Sequence, residues 1–170
     1  MSLTIPNNLL TNQQEGQTIF GNIQKGLFDR LLTNPTLAIG TSKAKVQTDA
    51  SAYFVKNGAL YLKAATDPLW TLSGTITNAT FNVYVLTLDT GGTAAVYMGT
   101  EGATLAAVVW PEITATDEVV IGFVIVNPTG TGNFVGGTTE LDDGTVTPNA
   151  VYVPATSLPS PNYHALNYTP

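Results

Sequence analysis

Few side chains in this sequence could carry out a reaction. The chain of 170 residues has no cysteine and a single histidine, His164, which stands between Tyr163 and Ala165 near the C-terminus. A catalytic histidine needs a nucleophile and an orienting group held rigidly beside it, and no recognisable motif of that kind surrounds His164. We therefore predict that His164 is a surface contact residue and that the protein is not an enzyme.

Two groups of carboxylates raise the question of metal binding or acid catalysis. Residues 140–144, Glu-Leu-Asp-Asp-Gly, could present oxygen ligands to calcium around a tight turn. They lack the alternating third ligand and the later Glu of a calcium loop, and Asp-Gly is first of all a turn dipeptide. Asp117-Glu118 is likewise interpreted structurally, as a pair of loop acids just before a buried strand. Sequence spacing leaves a glycosidase-like carboxylate pair open, but we expect no metal and no cofactor.

The tryptophans suggest binding as an alternative to catalysis. Trp70 and Trp110 could stack their flat faces on sugar rings. Tryptophan is, however, most often found in cores and interfaces, where its large apolar area is buried. We favour packing for both residues and keep sugar binding by Trp70 and Trp110 as the alternative.

Charge is divided unevenly along the chain. Residues 1–63 contain all six Lys and Arg and three of the twelve carboxylates, which gives +3, and the remaining nine carboxylates give the rest of the chain −9. A net charge of −6 without a basic cluster argues against a nucleic-acid partner. Charged residues make up only 11% of the chain, against roughly 25% in typical soluble domains. We therefore expect a surface partly covered by neighbours, as in a homo-oligomer.

Residues 1–50 are predicted to form an assembly region that consists of an arm, an amphipathic helix and a linker. Residues 1–16 are rich in Asn, Gln and Thr and predict an extended arm that becomes ordered on a partner. From Gln17 to about Asn34, apolar residues recur at helical spacing and predict one amphipathic helix. The residues proposed to contact a partner or another subunit are Leu3, Ile5, Leu9, Leu10, Phe20, Lys25, Arg30, Lys43 and Lys45.

Residues 51–153 are predicted to be an antiparallel β domain. Asn57-Gly58 joins Ala52–Lys56 to Ala59–Lys63, and Asn-Gly favours the two-residue turn of a hairpin. A second hairpin is predicted around residues 89–92, and Val119–Asn127 is the candidate for the most buried strand. Because strands and helices do not alternate, we expect a mainly β sandwich or barrel.

The two ends of the sequence and its longest apolar run were considered for tails, secretory signals and membrane spans. Residues 154–170 contain four prolines and no apolar periodicity, so we expect an extended tail. Residues 1–8 lack the basic and apolar regions of a secretory signal, and we expect synthesis in a cytoplasm. The longest apolar run, Val119–Val126, is shorter than the ~20 residues that span a bilayer. We expect no membrane partner.

Three stretches of the β region together resemble a known group of proteins. Residues 51–66 read SAYFVKNGALYLKAAT, residues 83–89 read VYVLTLD, and residues 120–127 read VIGFVIVN. They are similar to small virion proteins of tailed bacteriophages, often found beside the major capsid protein, in which such a hairpin precedes such a strand. The resemblance covers roughly residues 50–155.

This resemblance implies a structural role in a phage particle. The expected function is that of a head decoration or cement protein, which binds the major capsid protein on the capsid surface. The expected homo-oligomer is a trimer around a symmetry axis. In that arrangement the basic residues of 1–50 face the capsid lattice or the trimer axis, and the acidic β body points outward. The alternative is a tail or fibre module that binds host-surface carbohydrate through the two tryptophans.

Overall fold

The computed structural model describes residues 29–157. This part of the chain is mainly β, as the sequence predicts, with two 3₁₀ turns at Leu105–Ala107 and Ala155–Ser157. The strands are β1 (Arg30–Leu31), β2 (Leu37–Ile39), β3 (Lys45–Thr48), β4 (Ala52–Lys56), β5 (Ala59–Lys63), β6 (Thr66–Thr71), β7 (Thr75–Ile76), β8 (Asn82–Leu88), β9 (Ala94–Met98), β10 (Val119–Val126), β11 (Phe134–Val135) and β12 (Val151–Pro154).

The strands within residues 29–157 form four separate antiparallel sheets. The central sheet has the order β12-β10-β8-β9, and the hairpin sheet has the order β1-β4-β5. The other two are β2-β3-β6 and the small β11-β7 pair. A barrel requires one continuous hydrogen-bonded sheet without edges. Because the pairing here is divided among sheets that each keep their own edge strands, the expected barrel is wrong and the antiparallel β class is confirmed.

The central sheet supplies most of the hydrophobic core. All seven residues of β8 are buried, and in β10 only Ile125 is partly exposed. Neighbouring residues on a strand point to opposite faces, so both faces of these two strands are covered. Gly122 in β10 leaves the room that Leu37 of β2 and the backbone of β12 occupy. The deeply buried strand predicted at Val119–Asn127 is therefore present as Val119–Val126.

The predicted hairpin around Asn57-Gly58 is confirmed residue by residue. Ala52 lies opposite Lys63, and Lys56 lies opposite Ala59. Asn57 has a φ of 52° and Gly58 a φ of 79°, which are the two positive values of a type I′ turn. Local turn chemistry thus sets the register of β4 on β5.

The region before residue 51 differs from the prediction. The amphipathic helix expected to run to Asn34 is not present in its described part, because Arg30–Leu31 forms β1 and pairs with β4. Leu31 lies opposite Phe54 and both are buried, a burial that outweighs helix propensity, which amounts to less than ~1 kcal/mol per residue. Residues 35–50, expected as a linker or edge segment, contain β2 and β3 and place Leu37 and Val46 in the core. Residue 50 is therefore not a boundary of the hydrophobic core.

Two predicted segments lie outside the described residues. Residues 1–28 include the arm and most of the predicted helix, and residues 158–170 include most of the predicted tail with His164. The contact candidates in the first of these segments are Leu3, Ile5, Leu9, Leu10, Phe20 and Lys25.

Candidate interaction surface

One side of the hairpin sheet presents apolar side chains to solvent. In an antiparallel sheet, directly opposed residues point to the same face. Tyr53 is opposite Leu62, Val55 is opposite Leu60, and Arg30 is opposite Val55. The residue after β1, Leu32, donates its backbone N–H to the carbonyl oxygen of Tyr53 at 2.8 Å. We name this side the outer face, and it consists of Arg30, Leu32, Tyr53, Val55, Leu60 and Leu62.

The opposite side of the same sheet is part of the core. Phe54 is fully buried and its ring stacks on Tyr61, with 5.5 Å between ring centroids. β1 and β4 contact β10 of the central sheet. The hairpin sheet is therefore fixed through its inner side, and the outer face is turned away from that contact.

The apolar side chains of the outer face are strongly exposed. The exposed fractions are 62% for Leu60, 56% for Leu62, 44% for Leu32 and 40% for Tyr53. Single exposed apolar residues are ordinary on protein surfaces, but a contiguous group of them is typical of an interaction site. The outer face is therefore the candidate interaction surface of the described chain.

Positive charge on the outer face comes from Arg30. The strands β1, β4 and β5 contain no carboxylate, and within residues 29–157 no ion pair is formed by Arg30. Partners that carry acidic groups around an apolar centre would complement such a face.

The predicted basic contact residues do not lie together. Lys43, in the turn between β2 and β3, has its Nζ 2.8 Å from Asp142 Oδ2 and 4.0 Å from Glu140 Oε2. The hydrogen bond to Asp142 and the charge of that residue raise the pKa of Lys43. Lys45 lies on β3, opposite Thr71 of β6. Arg30 alone among these described residues belongs to the hairpin sheet.

A buried ion pair anchors the chain where the described residues begin. Lys56 Nζ lies 3.0 Å from Asp29 Oδ2, and the backbone N–H of Asn57 donates to Asp29 Oδ1 at 2.6 Å. Both charged side chains are buried. Because both carboxylate oxygens have partners, the cost of burying the charges is offset. Asp29 is thereby tied to the turn end of the hairpin, beside β1.

The two tryptophans differ in their exposure to solvent. Trp70 is 1% exposed, and its Nε1–H donates to the carbonyl oxygen of Thr87 at 2.9 Å. A ring in this position has no face available to stack on a sugar. Trp110 is 44% exposed and packs edge-to-face on Phe123, with 4.9 Å between ring centroids. Of the two tryptophans, only Trp110 therefore has an exposed ring that could stack on a sugar.

The carboxylates of residues 140–144 have structural partners. Asp143 Oδ1 accepts hydrogen bonds from the backbone N–H groups of Thr145 and Val146, each at 2.7 Å, which makes a turn. Asp142 pairs with Lys43. Among residues 29–157, no group of three or more His, Cys, Asp or Glu side chains is placed to hold a metal ion.

Glu118 has a role that the sequence did not indicate. Its carboxylate accepts hydrogen bonds from Thr87 Oγ1 at 2.5 Å and from Tyr97 Oη at 3.0 Å. Burial and the bond to Glu118 raise the pKa of Tyr97 to about 12. These two hydrogen bonds connect β8 and β9 to Glu118, the residue just before β10. No local motif signals it, because the two hydroxyls come from different strands.

Comparisons with known proteins do not indicate a function for this chain. Searches against protein families, curated proteins and solved structures find no match to this chain. Within residues 29–157, no helix has the length and apolar character needed to cross a membrane. The outer face and its surroundings are therefore the basis for a functional proposal.

Proposed function

We propose that the protein is a non-enzymatic structural protein of a bacteriophage particle. More specifically, we propose a capsid decoration or cement protein that binds the major capsid protein lattice and stabilises the head. The resemblance of residues 51–66, 83–89 and 120–127 to small phage virion proteins supports this proposal. The protein would be made in the host cytoplasm and located on the capsid surface.

The observation that carries the proposal is the composition of the outer face and of the residues beside it. The outer face is apolar and exposed, Arg30 lies on it without an ion-pair partner among residues 29–157, and residues 1–28 join the body there at Asp29. The carboxylates that follow Lys63 carry the opposite charge and belong to the rest of the body. This polarity supports attachment through the N-terminal end, with the acidic body pointing away from the lattice.

The architecture that we propose for the body is a β-sandwich. The hairpin sheet contacts β10, β6 contacts β9, and β2 contacts β12, so two smaller sheets pack on the central sheet. We also propose a homo-oligomer, with a trimer favoured. Several weak contacts to a lattice then add up to stable binding, because each additional contact forms intramolecularly.

The test is co-sedimentation of the purified protein with capsids of its source particle that lack it, at low and high salt. We expect saturable binding that weakens as salt rises, because charge contacts between exposed groups are screened. Arg30→Gln should weaken binding severalfold and flatten its salt dependence. Lys43→Gln is the matched control, because the charge of Lys43 is already engaged by Asp142 and Glu140. Failure of the wild-type protein to bind at either salt concentration would rule out the decoration role.

The second candidate function is carbohydrate binding by a tail or fibre module. The exposed ring of Trp110, next to the exposed Val109, favours it. Retention on a glycan array that is lost in a folded Trp110→Ala variant would support this function. Unchanged retention in that variant would exclude Trp110 as the binding platform.

A further inference from the structure

We propose that the free edge of β5 binds an extended strand of a partner protein, in which apolar residues alternate with polar ones that include a carboxylate. The added strand would lie antiparallel to β5 and become the fourth strand of the hairpin sheet. This site goes beyond the decoration role and does not require it, because any partner that offers such a strand could use it.

The backbone groups of β5 that are free for pairing belong to Leu60 and Leu62. Residues that face each other in an antiparallel pair alternate between exchanging both hydrogen bonds and exchanging none. Tyr53 lies opposite Leu62, yet its carbonyl oxygen accepts the N–H of Leu32 on the β1 side at 2.8 Å. Tyr53 and Leu62 are therefore a non-hydrogen-bonded pair, and by the same alternation so are Val55 and Leu60. The N–H and C=O groups of both leucines point to the free edge, where they have no hydrogen-bond partner within residues 29–157.

The edge of β5 lacks the features that usually protect the edge of a sheet. Proteins discourage pairing at edge strands with proline, with β-bulges or with charged side chains along the strand. The edge strands β6 and β12 of two other sheets contain Pro68 and Pro154. In contrast, β5 contains no proline, pairs with β4 without a register shift and has its one charged residue, Lys63, at its end. Such an open edge is typical of a site for strand addition.

The direction of the free backbone groups fixes which side chains the added strand needs. Residues that exchange hydrogen bonds across an antiparallel pair point to the same face of the sheet. The residues opposite Leu60 and Leu62 would therefore lie on the outer face, beside side chains that are 62% and 56% exposed. Apolar residues at these alternate positions would cover part of both leucines and extend the apolar outer face by one strand.

Charge favours the strand of a partner over a second copy of β5. The strands of the hairpin sheet contain Arg30, Lys56 and Lys63 and no carboxylate. Lys56 is paired with Asp29, whereas Lys63 is partly exposed and forms no ion pair within residues 29–157. A second copy of β5 would bring further cations to this edge. A strand with a carboxylate beside Lys63 would complement the edge instead.

Fluorescence anisotropy of labelled synthetic peptides with the full-length protein tests this site. The parent peptide alternates valine with glutamate over about seven residues, a usual strand length. We expect saturable binding with one peptide per chain, and binding about tenfold weaker when lysine replaces glutamate. N-methylation of the two central valines should abolish binding, because their nitrogens face β5 and lose the hydrogens that pair with it. The matched control is N-methylation of two glutamates, whose nitrogens face away from β5, and it should leave binding largely unchanged.

Two substitutions of Leu62 separate the backbone contact from the side-chain contact. Leu62→Pro and Leu62→Ala both remove the leucine side chain, but only proline removes the N–H that points to the edge. Proline is tolerated at such an edge position because no hydrogen bond to β4 is lost, and an unchanged far-UV spectrum would show that the variant folds. Leu62→Pro should bind the parent peptide about tenfold more weakly than Leu62→Ala does.

Three results would overturn the proposal. The first is no binding of the parent peptide to the wild-type protein. The second is binding that N-methylation of the valines leaves unchanged, which would place the contact on side chains alone. The third is a concentration-dependent dimer of the wild-type protein in sedimentation without peptide that is lost in Leu62→Pro, which would mean that a second copy occupies the edge. If Leu62→Pro does not fold, the N-methylated peptides still decide, because they are used with the wild-type protein.

Discussion

The hairpin sheet and the central sheet are built from similar apolar residues but bury them to different extents. In the central sheet, β8 and β10 bury leucines, valines and isoleucines on both faces. In the hairpin sheet, β4 buries Phe54, while Leu60 and Leu62 of β5 lie in solvent. The difference is one of layers, because the central strands have neighbours on two sides and the hairpin sheet has a described neighbour on one side only.

This contrast shows that an apolar strand sequence specifies a need for cover and not where the cover comes from. For β8 and β10 the cover is supplied by other strands of residues 29–157. For the outer face it has to come from residues outside that range or from another molecule. Substitutions in the two sheets would measure how strongly each sheet depends on its contacts.

The largest expected effect is at the inner side of the hairpin sheet. Lys56→Ala leaves Asp29 buried without its partner, which should lower the free energy of unfolding by about 3–5 kcal/mol. Chemical denaturation would measure this change. The control Lys43→Ala, at an exposed ion pair, should have no measurable effect.

Removal of both buried charges sharpens that test. The double variant Asp29→Leu/Lys56→Met should recover much of the stability lost in Lys56→Ala, because no uncompensated charge remains. If the double variant is as unstable as the single variant, the loss comes from packing of the lysine stem and not from the buried charge.

The second variant pair compares leucines of the two sheets directly. Leu86→Ala in β8 should lower the free energy of unfolding by about 2–5 kcal/mol, because it removes fully buried methyl groups and leaves a cavity. Leu62→Ala on the outer face should cost less than about 1 kcal/mol, as exposed substitutions usually do. Urea unfolding of both variants measures the difference. Equal costs would show that the outer face is packed as tightly as the core.

The smallest expected effect concerns a polar atom inside the central sheet. Within residues 29–157, the hydroxyl of Tyr84 in β8 is buried and has no hydrogen-bond partner. An unsatisfied buried hydroxyl is unfavourable, so Tyr84→Phe should raise the free energy of unfolding by about 1 kcal/mol at neutral pH. A loss of stability instead would mean that the hydroxyl has a partner in solution.

The same variant has a predicted pH dependence. Burial, together with the charge of Glu101, raises the pKa of Tyr84, and burial also raises the pKa of Tyr97 to about 12. The folded protein therefore holds these protons more tightly than the unfolded chain, in which tyrosine titrates near pH 10. Stability should be fully present below about pH 10 and should fall as the pH rises toward 12. Tyr84→Phe should make that fall shallower in denaturation curves recorded at alkaline pH.

Short-range chemistry made parts of the fold predictable. Asn57-Gly58 fixed the turn and register of β4 and β5, because these two residues tolerate positive φ. The turn at Asp89 is a longer one that is also fixed by local contacts, since Asp89 Oδ1 accepts the backbone N–H of Thr93 at 2.7 Å and Gly92 has a positive φ of 79°. Val119–Val126 was recognisable as a buried strand from its continuous apolar run.

Other features depend on residues that are distant in sequence. The helical spacing near Leu31 is overridden in the described chain by pairing of β1 with β4, a contact that no local pattern reveals. Trp70 and Trp110 are equivalent in composition but differ in burial, because Trp70 lies within the core and Trp110 on the surface. The role of Glu118 likewise depends on Thr87 and Tyr97 being brought together.

The sequence by itself determined the antiparallel β class, the two hairpins and the division of charge, because turn preferences and side-chain alternation act over a few residues. The tertiary structure alone decided which apolar faces are covered, that Asp29 and Lys56 form a buried pair, and that Arg30 lies on an exposed apolar surface. Burial is a property of how sheets stack. It therefore depends on contacts between strands that are far apart in the chain, and these contacts leave no mark in the local pattern.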